Sequence, residues 1–370
     1  AQQRDNIMLI NKKNMLSAAV VMAGLVGTAG IAQAAPVTTT TVGGYVKFDS
    51  IYNQENDSSG ALREQALLTL NGDEAADEEG DLYLSSYESR IKFTSQTTGT
   101  PVGDLKAVIE GDFYSGANQN IVNLRHAYFS QDNLTIGQTW STFMDLGSLA
   151  ETADFGGPAG RIFTRQSLVR YTMDAAGGKL ELALESPKNG VGAEKDASAP
   201  DMIAKYTLKT DFGYVAAGAL VQNLNYDDGT DSDSTIAVAA RVSGRINIGS
   251  DNLKFAVISG QAMGGYLNFG DVKAADMVNG KIELTDQTAV RVSYQHIWSP
   301  GLRSSVRYAL TTSEFDGQDQ GDFTSLHANL VYNPYKPVKF GGEIITAKKE
   351  IANADNRNLS RFHLFAKYAF

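Results

Sequence analysis

The chain ends, at residues 359–370, with the sequence LSRFHLFAKYAF. Apolar side chains occupy every second position from residue 362 to residue 370, and the polar or charged residues Arg361, His363 and Lys367 occupy positions between them. Successive side chains of a β-strand point to opposite faces, so such a strand has one apolar face and one polar face. The pattern therefore predicts an amphipathic strand at the end of the chain.

A strand of this kind that ends at an aromatic residue, here Phe370, resembles the last strand of bacterial outer-membrane barrels. We interpret Phe370 as a C-terminal assembly signal for the barrel-assembly machinery. A strand of a soluble β-sandwich shows the same alternation, so the C-terminus alone does not decide between these two classes of protein.

The N-terminal region has the features of a secretory signal peptide. Lys12 and Lys13 precede an apolar run at residues 15–31, and Ala32-Gln33-Ala34 supplies the small residues of a cleavage site. Glycines dilute the apolar run, which disfavours the alternative of a transmembrane anchor. The sequence therefore predicts an exported protein.

We expect residues 1–34 to be the signal region, with residues 1–7 upstream of a natural start at Met8, and residues 35–370 to form one domain. This domain carries 29 basic and 41 acidic residues, a net charge of −12. Such a charge argues against a nucleic-acid partner, which would need a basic surface. The chain has no cysteine, so disulfides and thiolate chemistry are excluded.

The predicted domain contains no run of about 20 apolar residues, so a membrane-spanning α-helix is excluded. A closed β-barrel is the other structure that satisfies every backbone polar group in lipid. The hydrophobic content of 42%, with 36 glycines and 16 tyrosines, fits such a barrel. A large soluble β protein is the competing interpretation.

Sixteen strand-like segments, the first at residues 42–52 and the last at 359–370, follow one another along the domain. Short turns, such as Asp132-Asn133 and Ser299-Pro300-Gly301, follow even-numbered segments, and long polar connections follow odd-numbered ones. Outer-membrane barrels have an even strand number, short periplasmic turns and longer external loops. The sequence therefore predicts an all-β fold, a transmembrane antiparallel β-barrel of 16 strands.

The connection at residues 141–161 would be the third external loop. In general porins of sixteen strands the third loop folds into the barrel and narrows it. Here glycines permit tight bends and apolar side chains can pack against the wall, so we expect the loop to fold into the lumen. The alternative is an external loop with ordinary surface charges. The charged residues assigned to the constriction are Asp145, Glu151, Asp154, Arg161 and Arg165.

Strand alternation also sorts the other charged residues. An Arg or Lys on the lipid face costs about 2–4 kcal/mol at the bilayer midplane, so charges that alternate with apolar residues are expected to face the lumen. The basic residues assigned to the lumen are Arg90, Lys92, Lys106, Arg125, Arg170, Arg241, Arg245, Arg303, Arg307 and Arg361. The acidic residues assigned to the lumen are Asp49, Glu88, Glu110, Asp112, Glu181 and Glu185.

Arginines on the wall, opposite a loop that bears carboxylates, would create a transverse field across a narrow pore. Guanidinium groups also bind carboxylates bidentately, which suits anionic solutes. The alternative is that these charges only neutralise one another within a wet interior.

The sequence predicts neither an enzyme nor a resident cofactor. Four histidines lie on separate predicted strands, and no nucleotide-binding or zinc motif is present. Two acidic clusters are candidates for weak Ca²⁺ or Mg²⁺ binding or for contact with lipopolysaccharide through divalent ions, although solvation is their simplest role. They are residues 73–81 and the set Asp227, Asp228, Asp231 and Asp233.

Six short motifs resemble those of the DcaP-like outer-membrane porins. They are YESR at residues 87–90, IEGDF at 109–113, LRHAY at 124–128, GQTWSTFMD at 137–145, DFGGP at 154–158 and YQHIW at 294–298. The fourth motif is the most specific, and the resemblance extends over nearly the whole mature chain. It implies a trimeric sixteen-stranded porin of the Gram-negative outer membrane that passes small anionic solutes, with dicarboxylates as the namesake substrate class.

We therefore predict an outer-membrane porin, a water-filled channel for passive diffusion of small hydrophilic solutes and preferentially of dicarboxylate-like anions. The negative net charge is compatible with anion passage because acids crowd the predicted external loops while arginines line the predicted lumen. Two alternatives stay open: a substrate-selective transporter for hydrophobic or aromatic acids, and a closed structural or adhesion barrel. The expected surroundings are outer-membrane lipid and lipopolysaccharide.

Overall fold

The computed structural model describes residues 35–56, 80–114, 122–191, 199–267, 273–315, 318–319, 321–350 and 356–370. The predicted signal region at residues 1–34 and most of the acidic cluster at residues 73–81 lie outside the described residues.

The described residues form a closed antiparallel β-barrel of 16 strands, which confirms the predicted fold class and strand number. The first eight strands are β1 (Val37–Asn56), β2 (Asp81–Ser85 and Arg90–Thr98), β3 (Leu105–Asp112), β4 (Asn123–Gln131), β5 (Leu134–Trp140), β6 (Arg165–Ala175), β7 (Gly178–Glu185) and β8 (Asp201–Thr210). The remaining eight are β9 (Gly213–Asp227), β10 (Ser232–Ile248), β11 (Asp251–Gln261), β12 (Asp286–Ser299), β13 (Leu302–Phe315), β14 (Asp322–Tyr335), β15 (Val338–Glu350) and β16 (Arg357–Ala369).

Each strand pairs with its neighbours in the sequence, and β1 also pairs with β16, which closes the barrel. This seam runs from the pair Tyr45–Ala369 to the pair Asn56–Leu359. The two segments of β2 both pair with β1, so they form one interrupted strand. Strand β1 begins at Val37, five residues before the predicted start, because a run of threonines pairs with β2 although it lacks apolar alternation.

Connections at one end of the barrel are short, as the sequence predicts. Six of them consist of two residues between consecutive strands, and positive φ angles at Asp132, Ala176 and Gly249 support three of these turns. Most connections at the other end are longer. The connection between β11 and β12 contains a separate hairpin, formed by Ala275–Val278 and Lys281–Leu284.

The two faces of the strands differ in the way that the alternation predicts. In β1 the apolar side chains of Val46, Phe48 and Tyr52 are exposed on the outer face, whereas Lys47 and Asp49 are buried on the inner face. Large apolar side chains are exposed in this way on most strands of the barrel. An apolar outer face and a polar inner face are characteristic of barrels that lie in lipid.

Apolar residues of two connections also pack against inward-facing side chains, and the sequence indicated this for only one of them. Phe143 and Ile162, from the connection between β5 and β6, share a buried cluster with Met263, Tyr266 and Leu267, from the connection between β11 and β12. Ile162 and Leu267 form an antiparallel bridge, and the amide of Phe163 donates to the carbonyl of Tyr266 over 3.1 Å. Two connections, not one, therefore pack against inward-facing side chains.

The described residues contain little helix. A 3₁₀ turn at Leu146–Ser148 is the one helical element among them, and Asp145 caps its N-terminus. In this part of the chain there is no helix with the length and hydropathy needed to cross a membrane.

Candidate functional site

The segment between β5 and β6, residues 141–164, is held by side chains from many strands. Asp145 accepts hydrogen bonds from the Tyr214 hydroxyl over 3.0 Å and from the Ser243 hydroxyl over 2.7 Å. Its carboxylate also lies 3.7 Å from the Arg241 guanidinium, which donates to the carbonyl of Phe143. The start of the segment is therefore anchored to β9 and β10.

Glu151 anchors the middle of this segment to the opposite part of the barrel. Its carboxylate accepts hydrogen bonds from Arg303 Nε over 2.6 Å and from Arg303 Nη2 over 2.8 Å, and it forms a second ion pair with Lys339. Burial would raise the pKa of this carboxyl, but the two cations outweigh burial and lower the pKa of Glu151 to about 2. The carbonyl of Glu151 also accepts from Asn329 and from Arg307.

The next residues of the segment reach β15, β16 and β1. The Ala153 amide donates to the Glu343 carboxylate over 2.9 Å, and Lys47 Nζ donates to the Ala153 carbonyl over 2.8 Å. Asp154 forms an ion pair with Arg361 at 3.5 Å, and both side chains are fully buried. Buried charges are stable only when paired in this way.

Two of the residues assigned to the constriction are arginines that contact aromatic rings. The buried guanidinium of Arg161 lies 3.6 Å from the ring centroid of Phe163 and donates to the Phe155 carbonyl. Burial lowers the pKa of Arg161 to about 9, which leaves the group charged at neutral pH. Arg165 belongs to β6, not to the loop, and its guanidinium lies 4.6 Å from the ring centroid of Trp140.

A cavity of about 540 Å³ lies between this segment and the inner wall formed by β2 to β8. Four basic and three acidic side chains line it, together with histidine, aromatic and small polar residues. The lining residues are Arg90, Lys92, Val108, Glu110, His126, Tyr128, Thr139, Trp140, Ser141, Met144, Asp145, Leu146, Gly147, Arg170, Glu181 and Lys205.

Cations outnumber carboxylates on the wall of this cavity. Glu110 is shared by Arg90 at 3.6 Å and Arg125 at 3.2 Å, and Glu181 is shared by Arg170 and Lys205. Lys92 also lines the cavity, and among the described residues no carboxylate lies in ion-pair contact with it. The wall therefore presents positive charge beyond what its own carboxylates neutralise.

The predicted basic wall divides into two groups in the structure. Arg90, Lys92 and Arg170 line the cavity, with Arg125 behind Glu110 and paired with Asp112. Arg303 and Arg307 instead bind the loop through Glu151.

The other predicted residues are placed as follows. Lys106 lies at an inward-facing position of β3, but its side chain is exposed and does not line the cavity. Glu88 forms an ion pair with Lys47 and lies 4.0 Å from Arg90.

Several residues of the site were not predicted. Lys205 lines the cavity, Lys47 and Lys339 bind the loop, and His126 contacts Thr139 at the cavity wall. Lys205 alternates with the exposed Met202 and Leu208 on β8, so the same reasoning that assigned the arginines would have found it.

The part of the chain that the structure describes gives no support to a metal site. Within the described ranges, no group of three or more His, Cys, Asp or Glu side chains is arranged to hold a metal ion. In the second acidic cluster, the Asp228 carboxylate instead accepts hydrogen bonds from the amides of Thr230 and Asp231 and from the Tyr226 hydroxyl.

Comparison with solved structures gives several barrels of the same fold. The crystal structure of the outer membrane channel DcaP of Acinetobacter baumannii is 23% identical, with a TM-score of 0.79 over 90% of this chain and 97% of that chain. The trimer form of the outer membrane protein OmpT of Vibrio cholerae is 14% identical, with a TM-score of 0.62 over 90% and 99%. An anion-selective porin from Comamonas acidovorans is 13% identical, with a TM-score of 0.59 over 90% and 100%.

No curated protein sequence matches the chain. A family profile described as DcaP outer membrane protein matches residues 4–370, which is nearly the whole chain. With the closed sixteen-stranded barrel, this match identifies an outer-membrane channel and not an enzyme. The chain belongs to the DcaP outer membrane protein family.

Proposed function

We propose that this porin passes small hydrophilic anions, with dicarboxylates as the preferred class. The observation that carries the proposal is the excess of cations on the β2–β8 wall. Glu110 and Glu181 are each shared by two cations, and Lys92 has no carboxylate partner among the described residues. Such a wall raises the local concentration of anions even though the chain as a whole is acidic.

The proposed constriction is the segment at residues 141–164, folded into the lumen. Its contacts with inward-facing side chains of β1, β10, β13 and β15 support this placement. Because its carboxylates Glu151 and Asp154 pair with the far side of the barrel, they leave the cavity side dominated by cations. Solutes would pass between this segment and the β2–β8 wall.

The dimensions and chemistry of the cavity suit a small dicarboxylate. A volume of about 540 Å³ accommodates a short diacid with part of its hydration shell. Arg90 and Arg170 both line the cavity, and each can offer a guanidinium fork to one carboxylate of the solute. A diacid would thereby gain two charge-assisted contacts where a monoacid gains one.

The test is single-channel current through purified protein in a planar bilayer under a salt gradient, followed by addition of succinate. We expect steady open steps, a reversal potential that indicates anion preference, and transient blocks by succinate that acetate at the same concentration does not produce. A reversal potential that indicates cation preference would contradict the proposal. A silent bilayer containing folded protein would favour a closed structural barrel.

A second candidate function is transport of aromatic acids, and it draws on the aromatic residues of the cavity. Tyr128 and Trp140 line the same space as the cations, so an aromatic carboxylate could stack there while it binds a guanidinium. Benzoate and succinate distinguish the two candidates in the same recording. Longer blocks by benzoate than by succinate would favour the second.

We further infer that the protein is exported with cleavage of its signal region, assembles as a homotrimer as the trimer form of OmpT does, and resides among outer-membrane lipid and lipopolysaccharide. Phe370 is the proposed signal for the barrel-assembly machinery. Its backbone amide and carbonyl exchange hydrogen bonds with Gly44, both over 3.1 Å. Deletion of Phe370 should reduce the yield of heat-resistant oligomer on unboiled gels, and a normal yield would count against this role.

A further inference from the structure

Strand β4 contains an extra residue beside the cavity. Glu110 of β3 pairs with His126, but the following residue, Gly111, pairs with Leu124, so Arg125 has no paired residue on β3. A β-bulge of this kind allows two consecutive side chains to lie on one face of the sheet. Arg125 and His126 are accordingly both buried on the inner side, where Arg125 binds Glu110 and His126 lines the cavity.

The bulge leaves backbone carbonyls without their usual partners. The ladder between β4 and β5 ends at the pair Ala127–Gln138, so it does not reach Leu124 or Arg125. The side chain of Gln138 supplies the missing hydrogen bond. Its Nε2 donates to the carbonyl of Leu124 over 2.9 Å and lies 3.5 Å from the carbonyl of Arg125.

The carboxamide of Gln138 lies on the outer face of the barrel. Gln138 pairs with Ser167 of β6, which is exposed between the buried residues Gln166 and Leu168. Where the outer face of a membrane barrel contacts lipid, no water can satisfy a free carbonyl, so an unsatisfied carbonyl is costly there. Gln138, a polar side chain on the outer face, therefore satisfies the backbone carbonyls that are left free by the bulge, and this bulge turns the side chains of Arg125 and His126 inward.

We propose that Gln138 is a positioning residue of the channel. It holds the bulge at Arg125, and the bulge in turn keeps both Arg125 and His126 on the cavity side. Without this hydrogen bond the extra residue moves along β4 towards Asn123, where water at the strand end satisfies the carbonyls. Such a shift turns Arg125 outward and Leu124 inward, because side chains alternate strictly on either side of a bulge. The effect on permeation rests on the proposed function, whereas the effect on the strand does not.

The first experiment measures permeation. Gln138→Met removes the donor at nearly constant shape, and Gln138→Asn keeps the amide but shortens its reach. Ser167→Val is the matched control, because it removes a polar group from the neighbouring outer position without touching the bulge. We expect both Gln138 variants to lower the anion-to-cation permeability ratio by most of the drop seen in Arg125→Ala, and the control to leave it unchanged.

The double variant Arg125→Ala with Gln138→Met tests whether Gln138 acts through Arg125. We expect a permeability ratio equal to that of Arg125→Ala alone. A further drop of the full size seen for Gln138→Met would overturn the positioning role. Only channels that run as heat-resistant species on unboiled gels are compared, so that a general loss of folding does not count as support.

The second experiment measures the orientation of the strand and does not depend on ion preference. The chain has no cysteine, so a single introduced thiol reports its own exposure to water. Leu124→Cys should react slowly with charged, membrane-impermeant methanethiosulfonates of either sign, and at least about tenfold faster when Gln138→Met is added, a factor equivalent to about 1.4 kcal/mol. His126→Cys should react in both backgrounds, and Phe129→Cys in neither.

The two experiments separate two kinds of failure. If the unmodified channel shows no anion preference while Leu124→Cys gains reactivity when Gln138→Met is added, the anion proposal fails and the positioning role of Gln138 stands. If Leu124→Cys stays unreactive in both Gln138 variants while His126→Cys reacts, the positioning role is wrong whatever the permeability.

Discussion

Lys92 and Lys106 both lie at positions that the alternation of the sequence assigns to the inner face, but their surroundings in the barrel differ. Lys92 lines the cavity, whereas Lys106 lies exposed near the short turns and outside the cavity lining. A unit charge about 8 Å away in water changes the free energy of an ion by about 0.5 kcal/mol, or roughly twofold in local concentration. Lys92→Gln should therefore lower the anion-to-cation permeability ratio about twofold or more.

The matched control for this prediction is Lys106→Gln, which removes the same charge from the same face. Its reversal potential in a salt gradient should equal that of the unmodified protein. Equal shifts in both variants would mean that total charge, not the charge of the cavity wall, determines selectivity.

Glu151 should confer a pH dependence on the anchoring of the loop. The pKa of this carboxyl is lowered from 4.5 to about 2, so its ion pairs with Arg303 and Lys339 stabilise the anchored loop fully above about pH 4.5. That contribution is lost as the pH falls from 4.5 towards 2. We expect open-channel current noise to stay low at pH 5 and to rise below about pH 3.

Glu151→Gln should show this noise already at neutral pH, because the neutral amide cannot form the two ion pairs. Asp174→Asn is the control, since Asp174 binds Lys179 near a turn and its side chain is 86% exposed. Quiet currents in Glu151→Gln at pH 7 would contradict the anchoring role.

Individual charged residues were predictable in their orientation but not in their partners. Alternation identified Arg90, Arg170 and Arg303 as inward-facing because each has an apolar neighbour on the opposite face, at Ile91, Val169 and Leu302. It could not distinguish the arginines that line the cavity from Arg303, which binds Glu151, because that difference depends on which strands the segment at residues 141–164 contacts.

At the scale of the strand, neighbouring glycines at the seam have different constraints. Gly44 has a φ of +156°, and a Cβ there would lie 2.2 Å from the carbonyl oxygen of Arg90. At Gly43 the nearest atom would be the Phe370 carbonyl oxygen, at 3.4 Å. Gly44→Ala should destabilise the barrel by about 1–3 kcal/mol, the range typical of a strained backbone position, and Gly43→Ala should not.

The measurement for this pair is the temperature at which the folded band on unboiled gels converts to the unfolded band. Gly44→Ala should convert at a lower temperature than the unmodified protein and Gly43→Ala at the same temperature. Identical behaviour of the two variants would mean that the seam can relax around a methyl group.

The strands themselves were largely predictable because alternation is a local property of each segment. Features that require pairing between strands were not. The bulge at Arg125 cannot be recognised from the alternation of residues 124–128. The packing of Met263 and Tyr266 depends on contacts with Phe143 and Phe163, which are far away in sequence. The start of β1 was missed for the same reason, since β2 stabilises its threonines.

For the whole molecule, the proposed selectivity is electrostatic and should depend on salt. The Debye length is about 10 Å at 0.1 M ionic strength and about 3 Å at 1 M. Charges on the cavity wall therefore act across the pore at low salt and are largely screened at high salt. We expect the anion-to-cation permeability ratio to fall towards unity as KCl rises from 0.1 M to 1 M, measured at a constant concentration gradient.

A permeability ratio that does not change with salt would contradict long-range attraction and leave direct binding at the guanidinium groups as the source of selectivity. The Arg90→Ala variant tests direct binding separately, because the loss of one guanidinium contact should shorten the blocks by succinate at every salt concentration.

Because β1 pairs with β16, the barrel can close only after the last strand has been synthesised. Asn53 and Arg361, which share a hydrogen bond across this seam, are 308 positions apart in the sequence. Contacts between such distant parts of a chain form slowly, because the intervening chain must first be brought together. Until the last strand has been made and exported, β1 keeps an unpaired edge that can join the strands of other chains. The period between synthesis and insertion is therefore when this protein is most exposed to aggregation, and its yield should depend on how quickly the two ends meet.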